Sequence, residues 1–304
     1  MLSFTEGKAI AKIKGGEHNG KKIRISETAA KEETAPNDPF ELIEDDFMRN
    51  KKRLKFKQVE KIRRAMKKNK EEIDEELEEM YEEAQKLYDD KLGKEIIVAD
   101  GQVIPLPGKD TRDMHYVAGP SNSGKSSFAA KYAQQFKKMF PESELFMFSR
   151  LKPKKDSAFS KLPISYVPID ESIVEEPIQP EDLGDCLAIF DDIDTIRNKK
   201  IAAEIQSLRD DLLETGRHEN VYMVCTSHQL MNYKQTRTLL NECTHCTFFP
   251  NSGTAYHITR FLKEYGGLPK PEIDKILKLP SRWVTFKKTF PQAIIYQTGC
   301  YLLN

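Results

Sequence analysis

Gly119-Pro-Ser-Asn-Ser-Gly124-Lys125-Ser126 carries two glycines, a lysine and a hydroxyl in the pattern G-x-x-x-x-G-K-[ST]. Glycines let a backbone wrap closely round a phosphate. The amides of such a loop, with the N-terminus of the helix it opens, place partial positive charge where a β-phosphate sits. Lys125 would reach the β- and γ-phosphate oxygens, and the Ser126 hydroxyl would take one magnesium position. The expected ATP site is therefore Gly119, Pro120, Ser121, Asn122, Ser123, Gly124, Lys125, Ser126 and the following Ser127. A magnesium site of this kind needs an acid at the end of a buried strand, and Leu187-Ala-Ile-Phe-Asp191-Asp192 supplies two. Asp191 is the expected metal ligand. Asp192, one residue further, is placed to orient or deprotonate an attacking water. Asp194 is a third acid nearby, expected to cap the segment that follows it.

Val221-Tyr-Met-Val-Cys-Thr226 ends in Ser227-His228-Gln229. A strand lying between the loop strand and the Asp191 strand would bring these polar groups to the γ-phosphate or its water, with Gln229 the first choice. A loop that merely caps the strand is the structural alternative. Arg217 and Arg237 are candidates for a positive charge delivered to a neighbouring subunit's phosphoryl group, and either can equally be an ordinary surface arginine. Cys243-Thr-His-Cys246 has metal-like spacing, but a zinc site needs a second ligand pair and only the isolated His228 and His257 are at hand. Buried strand thiols are the expectation there. The chain has five cysteines, an odd count that suits reduced thiols better than a disulfide framework.

The elements that must position these groups are legible from apolar runs. Met114 to Ala118, Leu145 to Phe148, Cys186 to Phe190, Val221 to Thr226 and Thr244 to Phe249 are short and nearly continuous, as in a parallel sheet covered on both faces. Between them, Ile201, Ile205, Leu208 and Leu212 form one face of a helix over Lys199 to Thr215, with Gly216 as its expected C-cap. The fold class is α/β, a P-loop NTPase with a mostly parallel central sheet flanked by helices. A short helix around Ile273 to Leu279 leads to Trp283 to Phe286 and Ala293 to Tyr296, which read as a terminal hairpin with Pro291 near its turn.

Ahead of that core, residues 1–95 read as an extension and residues 96–304 as the ATPase domain. A small β element is expected over Gly7 to Ile25, turning at Asn19-Gly20, and a polar linker over Ser26 to Asp46. Lys51 to Lys70 then holds eleven Lys or Arg against Glu60, and Glu71 to Asp90 holds eleven acids against Lys86. Ile73, Leu77, Met80, Ala84 and Leu87 give the acidic half a helical stripe. Such a helix packs on its own domain or a sister subunit, or else its basic half contacts nucleic-acid phosphates. Over the whole chain 48 basic and 48 acidic residues cancel, so any DNA-binding surface must be local, for instance Lys51 to Lys70 or Lys152-Pro-Lys-Lys155. No run of about eighteen apolar residues marks a transmembrane segment, and the start lacks the apolar stretch of a signal peptide. A soluble intracellular protein is expected.

The order of Gly119-Pro-Ser-Asn-Ser-Gly-Lys-Ser, Phe148-Ser-Arg150, Phe190-Asp-Asp192, Gly216-Arg-His218, Thr226-Ser-His-Gln229 and Arg237-Thr-Leu-Leu-Asn241 resembles the genome-packaging ATPases of large nucleocytoplasmic DNA viruses. Those belong to the FtsK and HerA group of ring-forming translocases. The resemblance runs from about Asp113 to the C-terminus and includes Pro280-Ser-Arg-Trp283; residues 1–109 match none of the family's motifs. It implies a homo-oligomeric ring, in the host cytoplasm at the assembly site or in the virion, that uses ATP and magnesium to thread double-stranded DNA into a viral capsid. A capsid, portal or membrane protein is the partner it implies. By the same resemblance Lys125, Ser126, Asp191 and Asp192 carry the nucleotide chemistry, Gln229 senses the γ-phosphate and an arginine acts across the subunit interface. An ATP-dependent switch or scaffold with slow turnover is the alternative class. A nucleoside kinase is disfavoured by the acid pair and by the lack of an arginine-rich lid.

Overall fold

A computed structural model describes residues 1–26, 93–152, 158–232 and 235–303. The polar linker, the charged segment Lys51 to Asp90 and most of Lys152-Pro-Lys-Lys155 lie outside those residues, so the readings made of them stay as expectations.

The strands are β1 (Leu2–Ser3), β2 (Lys8–Lys14), β3 (Lys22–Ile25), β4 (Glu95–Ile97), β5 (Gln102–Pro105), β6 (Met114–Ala118), β7 (Glu144–Ser149), β8 (Ser165–Pro168), β9 (Cys186–Phe190), β10 (Tyr222–Ser227), β11 (His245–Phe248), β12 (Val284–Lys287), β13 (Ala293–Tyr296) and β14 (Gly299–Leu302). The α-helices are α1 (Lys125–Met139), α2 (Ser172–Glu175), α3 (Lys199–Glu214), α4 (Arg237–Glu242), α5 (Ala255–Glu264) and α6 (Lys270–Leu277). Among the described residues ten strands form the main sheet, in the order β4-β14-β13-β12-β11-β6-β10-β9-β7-β8. From β11 to β8 every neighbouring pair is parallel, as the continuous apolar runs require. From β11 back to β4 every pair is antiparallel. The expected terminal hairpin is thus the β12–β13 part of a longer meander that continues the central sheet, because Gly299 to Leu302 adds a further strand and β4 pairs with it.

Alternation along the strands sends side chains to two separate cores. On one face α1 packs Phe128, Ala129, Tyr132, Ala133 and Phe136 over Val117, Leu145, Met147, Leu187, Ile189 and Val224. The alanines let the helix approach closely, and Phe136, 1% exposed, fills the space they leave; truncating it to alanine would cost about 3–5 kcal/mol. Pro141 follows the C-cap Phe140, whose extended φ of −128° is what a residue before proline adopts. On the other face α3 lays Ile205, Leu208 and Leu212 over Tyr116, Ala188, Phe190, Met223 and Cys225. Asn198 caps α3 by accepting from the Lys200 amide at 3.0 Å. Its C-cap is Thr215 and not Gly216. Gly216 is needed one residue later for space, since a Cβ there would stand 2.6 Å from the Leu212 carbonyl and 2.9 Å from Arg112.

The small β element forms with its turn at Asn19-Gly20, but as a sheet β1-β3-β2-β5 whose last strand comes from beyond residue 95. Ile10, Ile13, Ile23 and Val103 share a core with Ala293, Ile295 and Cys300 of the meander. That sheet is packed against the structure that residues 96–304 form. All five cysteines are buried and free, and no metal-holding cluster of His, Cys, Asp or Glu exists among the described residues.

Candidate functional site

The site lies at the carboxyl ends of the parallel strands. β10 sits between the loop strand β6 and the acid strand β9, so the acids stand one strand away from the loop, with the tip of β10 between them. The chain leaves β6 at Gly119, whose amide donates to the Ser227 carbonyl at 3.0 Å, pinning the loop to that tip. Gly119 has no room for a side chain: a Cβ would stand 2.7 Å from the Phe249 ring and 2.8 Å from Ser123 Oγ. Asn122 and Gly124 have φ of 64° and 113°, the left-handed conformations that turn successive amides towards a common centre. The Phe128 amide then donates to the Gly124 carbonyl at 2.9 Å, and α1 begins.

Three observations show that these residues fit a phosphate. Ser123 Oγ is buried without a hydrogen-bond partner among the described residues. Lys125 is buried, yet among the described residues its ammonium makes only long contacts, 3.4 Å to the Pro120 carbonyl, 3.5 Å to His228 Nδ1 and 3.7 Å to Asp192 Oδ1. Buried charge with such loose partners is stabilised by a closer anion. Finally, the loop opens a fifteen-residue helix whose first turn carries no acid to occupy its positive end.

Asp191, 8% exposed, ends the acid strand. Its Oδ2 accepts from Ser149 Oγ at 3.2 Å and its Oδ1 from Thr226 Oγ1 at 3.0 Å, so both carboxylate oxygens are held from the neighbouring strand tips. Asp192 turns through a left-handed conformation, φ 48°, which Asp tolerates better than most residues. Its amide donates to Thr226 Oγ1 at 2.9 Å, and that hydroxyl also lies 3.1 Å from Asp192 Oδ1. One threonine thereby connects both acids. Asp191 and the half-buried Ser126 are the hard oxygen donors that could hold magnesium, which would neutralise phosphate charge there.

Asp194 is not a helix cap. It sits within a 3-10 turn, Ile193–Thr195, and its Oδ2 accepts from Ser227 Oγ at 2.8 Å and from the His228 amide at 2.9 Å. It fixes the tip of β10, and His228 follows from that. The His228 ring stands 3.1 Å from Asp192 Oδ2 through Nε2 and 3.5 Å from the Lys125 ammonium through Nδ1. A neutral ring with its proton on Nε2 satisfies both contacts. Gln229, the residue expected at this point, is exposed and contributes its backbone: its carbonyl accepts from Tyr116 Oη, and its amide donates to Ser227 Oγ at 3.1 Å. Burial holds the Tyr116 phenol well above its ordinary range, so it remains a donor. A signal for His228 was present in the sequence, because side chains two apart on a strand share a face and Thr226 aims at the acids. Ser149 could have been found in the same way, as the last residue of the strand beside β9.

His228 and Gln229 also line a cavity of about 300 Å³ between Gly119, Pro120, Phe248, Phe249 and the first turn of α5. Arg217 and Arg237 are both exposed. Arg217 precedes β10, at the end of the sheet opposite the loop, about 20 Å away by strand rise. Arg237 opens α4, on the segment that follows the β10 tip.

Fold and site together define a P-loop NTPase fold in which an inserted strand separates the phosphate loop from its acid pair. No protein-family model matches the chain. Over 216 residues, 70% of this chain and 86% of the relative, it is 44% identical to "Uncharacterized protein V3" of the Sputnik virophage, and it belongs to the family of that virophage protein. Among solved structures it is similar to the genome packaging NTPase B204 of Sulfolobus turreted icosahedral virus 2 in complex with AMPPCP. The identity is 13%, with 62% of this chain and 99% of that one covered and a TM-score of 0.40. It is also similar to the cytoplasmic domain of the Thermomonospora curvata type VII secretion ATPase EccC, at 14% identity over 67% of this chain and 28% of that one, TM-score 0.42. No helix among the described residues is long and apolar enough to cross a membrane.

Proposed function

We propose that the chain is an ATP-hydrolysing motor that translocates double-stranded DNA into a viral capsid. The observation that carries the reading is the buried Lys125 ammonium held loosely between the P-loop, Asp192 and His228. A nucleotide phosphate is the anion that this lysine lacks. Its arrival draws Lys125 away from Asp192 and leaves that carboxylate, still tethered through Thr226, to orient a water and accept its proton. His228 donates to Asp192 from the other side and responds to the same change of charge. Asp191 and Ser126 would hold a magnesium ion, which would supply positive charge against the phosphate. An acid beside the metal ligand suits hydrolysis and not phosphoryl transfer to a small acceptor.

The DNA and capsid parts of this reading rest on the motif order. Locally, the segment that leaves Asp192 presents Arg197, Lys199 and Lys200, all exposed, on a surface that could meet a phosphate backbone without reading bases. The expected ring would supply the missing arginine: Arg217, remote from its own loop, can reach a nucleotide only on a neighbouring copy, and Arg237 is the other candidate. The assay is steady-state ATP hydrolysis with and without long double-stranded DNA, with Lys125→Ala and Asp192→Asn as controls. Asn keeps the left-handed preference of Asp, so its effect reports the carboxylate charge. Stimulation by DNA, abolished in both variants, is the expected result. Turnover that ignores DNA would refute the translocation reading, and turnover surviving in both variants would refute the site.

A further inference from the structure

Arg282, on the segment entering β12, reaches the P-loop from its outer side. Its Nε donates to the Ser123 carbonyl at 3.0 Å and its Nη2 to the Asn122 carbonyl at 3.4 Å. A Cβ on Gly124 would stand 3.3–3.4 Å from the same guanidinium, so the glycine leaves space for this approach as well as adopting the required φ. In a trans peptide plane the carbonyl and the amide hydrogen point in opposite directions. Holding the Ser123 carbonyl outward therefore turns the Gly124 amide inward, towards the place of a bound phosphate. The Ser123 amide is already used by the Pro120 carbonyl at 3.2 Å, whereas the Gly124 amide makes no such bond among the described residues and can be offered to an anion.

The backbone that carries this guanidinium is itself anchored. The Arg282 amide donates to Gln297 Oε1 at 2.6 Å, in the turn between β13 and β14. The Gln297 amide donates to Ser281 Oγ at 3.0 Å, and Asn251 Nδ2, just beyond β11, donates to the Ser281 carbonyl at 3.2 Å. The chain of bonds runs from the meander through Arg282 to the loop.

Building on the ATPase reading, we infer that Arg282 is a positioning residue for the nucleotide: it fixes the phosphate-facing geometry of the P-loop from behind and makes that geometry depend on the β13–β14 turn. It touches the loop carbonyls and not the transferring group, so its effect falls on binding. Two successive carbonyls are matched by a planar fork of donors, which lysine lacks.

The test is titration of the full chain with a fluorescent ATP analogue, steady-state kinetics, and thermal melting of wild type, Arg282→Ala, Arg282→Lys, Gln297→Ala and Lys125→Ala. Arg282→Ala is expected to weaken nucleotide affinity and raise KM by about tenfold or more, from the loss of charge-assisted bonds. At saturating ATP its kcat stays within about threefold of wild type, because the reacting groups are untouched. Arg282→Lys recovers part of the affinity, and Gln297→Ala, which loosens the anchor but keeps the charge, loses a few-fold. Wild-type affinity in Arg282→Ala, or a fall in kcat with unchanged KM, overturns the inference. If Arg282→Ala does not fold, wild-type affinity in both Arg282→Lys and Gln297→Ala overturns it. Equal binding by wild type and Lys125→Ala would instead overturn the nucleotide reading itself, whatever Arg282 does.

Discussion

Replacing Thr226 by valine removes one hydroxyl at nearly constant volume, and that hydroxyl has three neighbours. It accepts from the Asp192 amide at 2.9 Å and lies 3.0 Å from Asp191 Oδ1 and 3.1 Å from Asp192 Oδ1, in a side chain that is fully buried. Its single proton serves one carboxylate at a time, so one hydrogen bond to a charged group and one to an amide are lost. A bond to a charged group contributes about 1.5–3 kcal/mol, and an amide left without a partner costs about 1–3 kcal/mol more. Asp192 is about a third exposed, so water recovers part of the second cost, and a net loss of about 2–3 kcal/mol remains. For a chain of this size that lowers Tm by about 4–12 °C. Thr226→Ser keeps the hydroxyl and loses a methyl, for about 1 kcal/mol. Melting by circular dichroism separates the two. With the tether gone, Asp192 no longer holds a single orientation, and ATP turnover should fall at least about tenfold in the valine variant while the serine variant stays near wild type. Valine and serine variants with equal Tm and equal kcat would falsify the idea that Thr226 joins the acid pair.

His228→Ala should lower kcat far more than Gln229→Ala, by about tenfold or more against less than threefold, since only His228 stands between Lys125 and Asp192; the reverse order in an ATPase assay would restore Gln229 as the sensor. Stability should also fall below neutral pH. Burial holds His115 well below the ordinary imidazole range, with His245 adding to the shift, and burial lowers His245 too, against Asp113 and with Lys287. Both bind a proton less readily in the folded chain than in the unfolded one, so below about pH 6.5 the unfolded chain binds more protons and stability declines as pH falls. Each can add a slope of up to about 1.4 kcal/mol per pH unit. A Tm unchanged between pH 7.5 and 5.5 would contradict this, and His115→Gln should flatten the dependence.

Much of this site could be read in one dimension. The P-loop is contiguous, and a strand followed by glycines and a helix start is a local property, so its residues were legible as a unit. The acid pair was legible for the same reason, since five consecutive apolar residues ending in Asp191-Asp192 specify a buried strand with charge at its tip. The strands and α3 followed from apolar periodicity, because burial on one or two faces leaves a pattern of fixed period. Even the position of β10 between β6 and β9 agrees with the reading of its polar tip.

The remainder depended on groups far apart in the chain. Asp194 looked like a local cap, yet it bonds residues 33 and 34 positions away, and no periodicity encodes that pairing. That the His228 ring meets Lys125 and Asp192 depends on how the chain rotates as it leaves β10, which Asp194, in the turn after β9, and Tyr116, on β6, help to fix. Gln102 to Pro105 is apolar enough for either sheet, and only packing sends it to the small one. The sequence by itself determined where the P-loop pattern and the acid-tipped strand lie and which strands carry them, since backbone conformation and burial period are local consequences of residue type. Tertiary structure alone decided which side chains meet the phosphate loop, because Asp194, His228 and Arg282 act through hydrogen bonds across strands and loops, and those distances exist only once the sheet has closed.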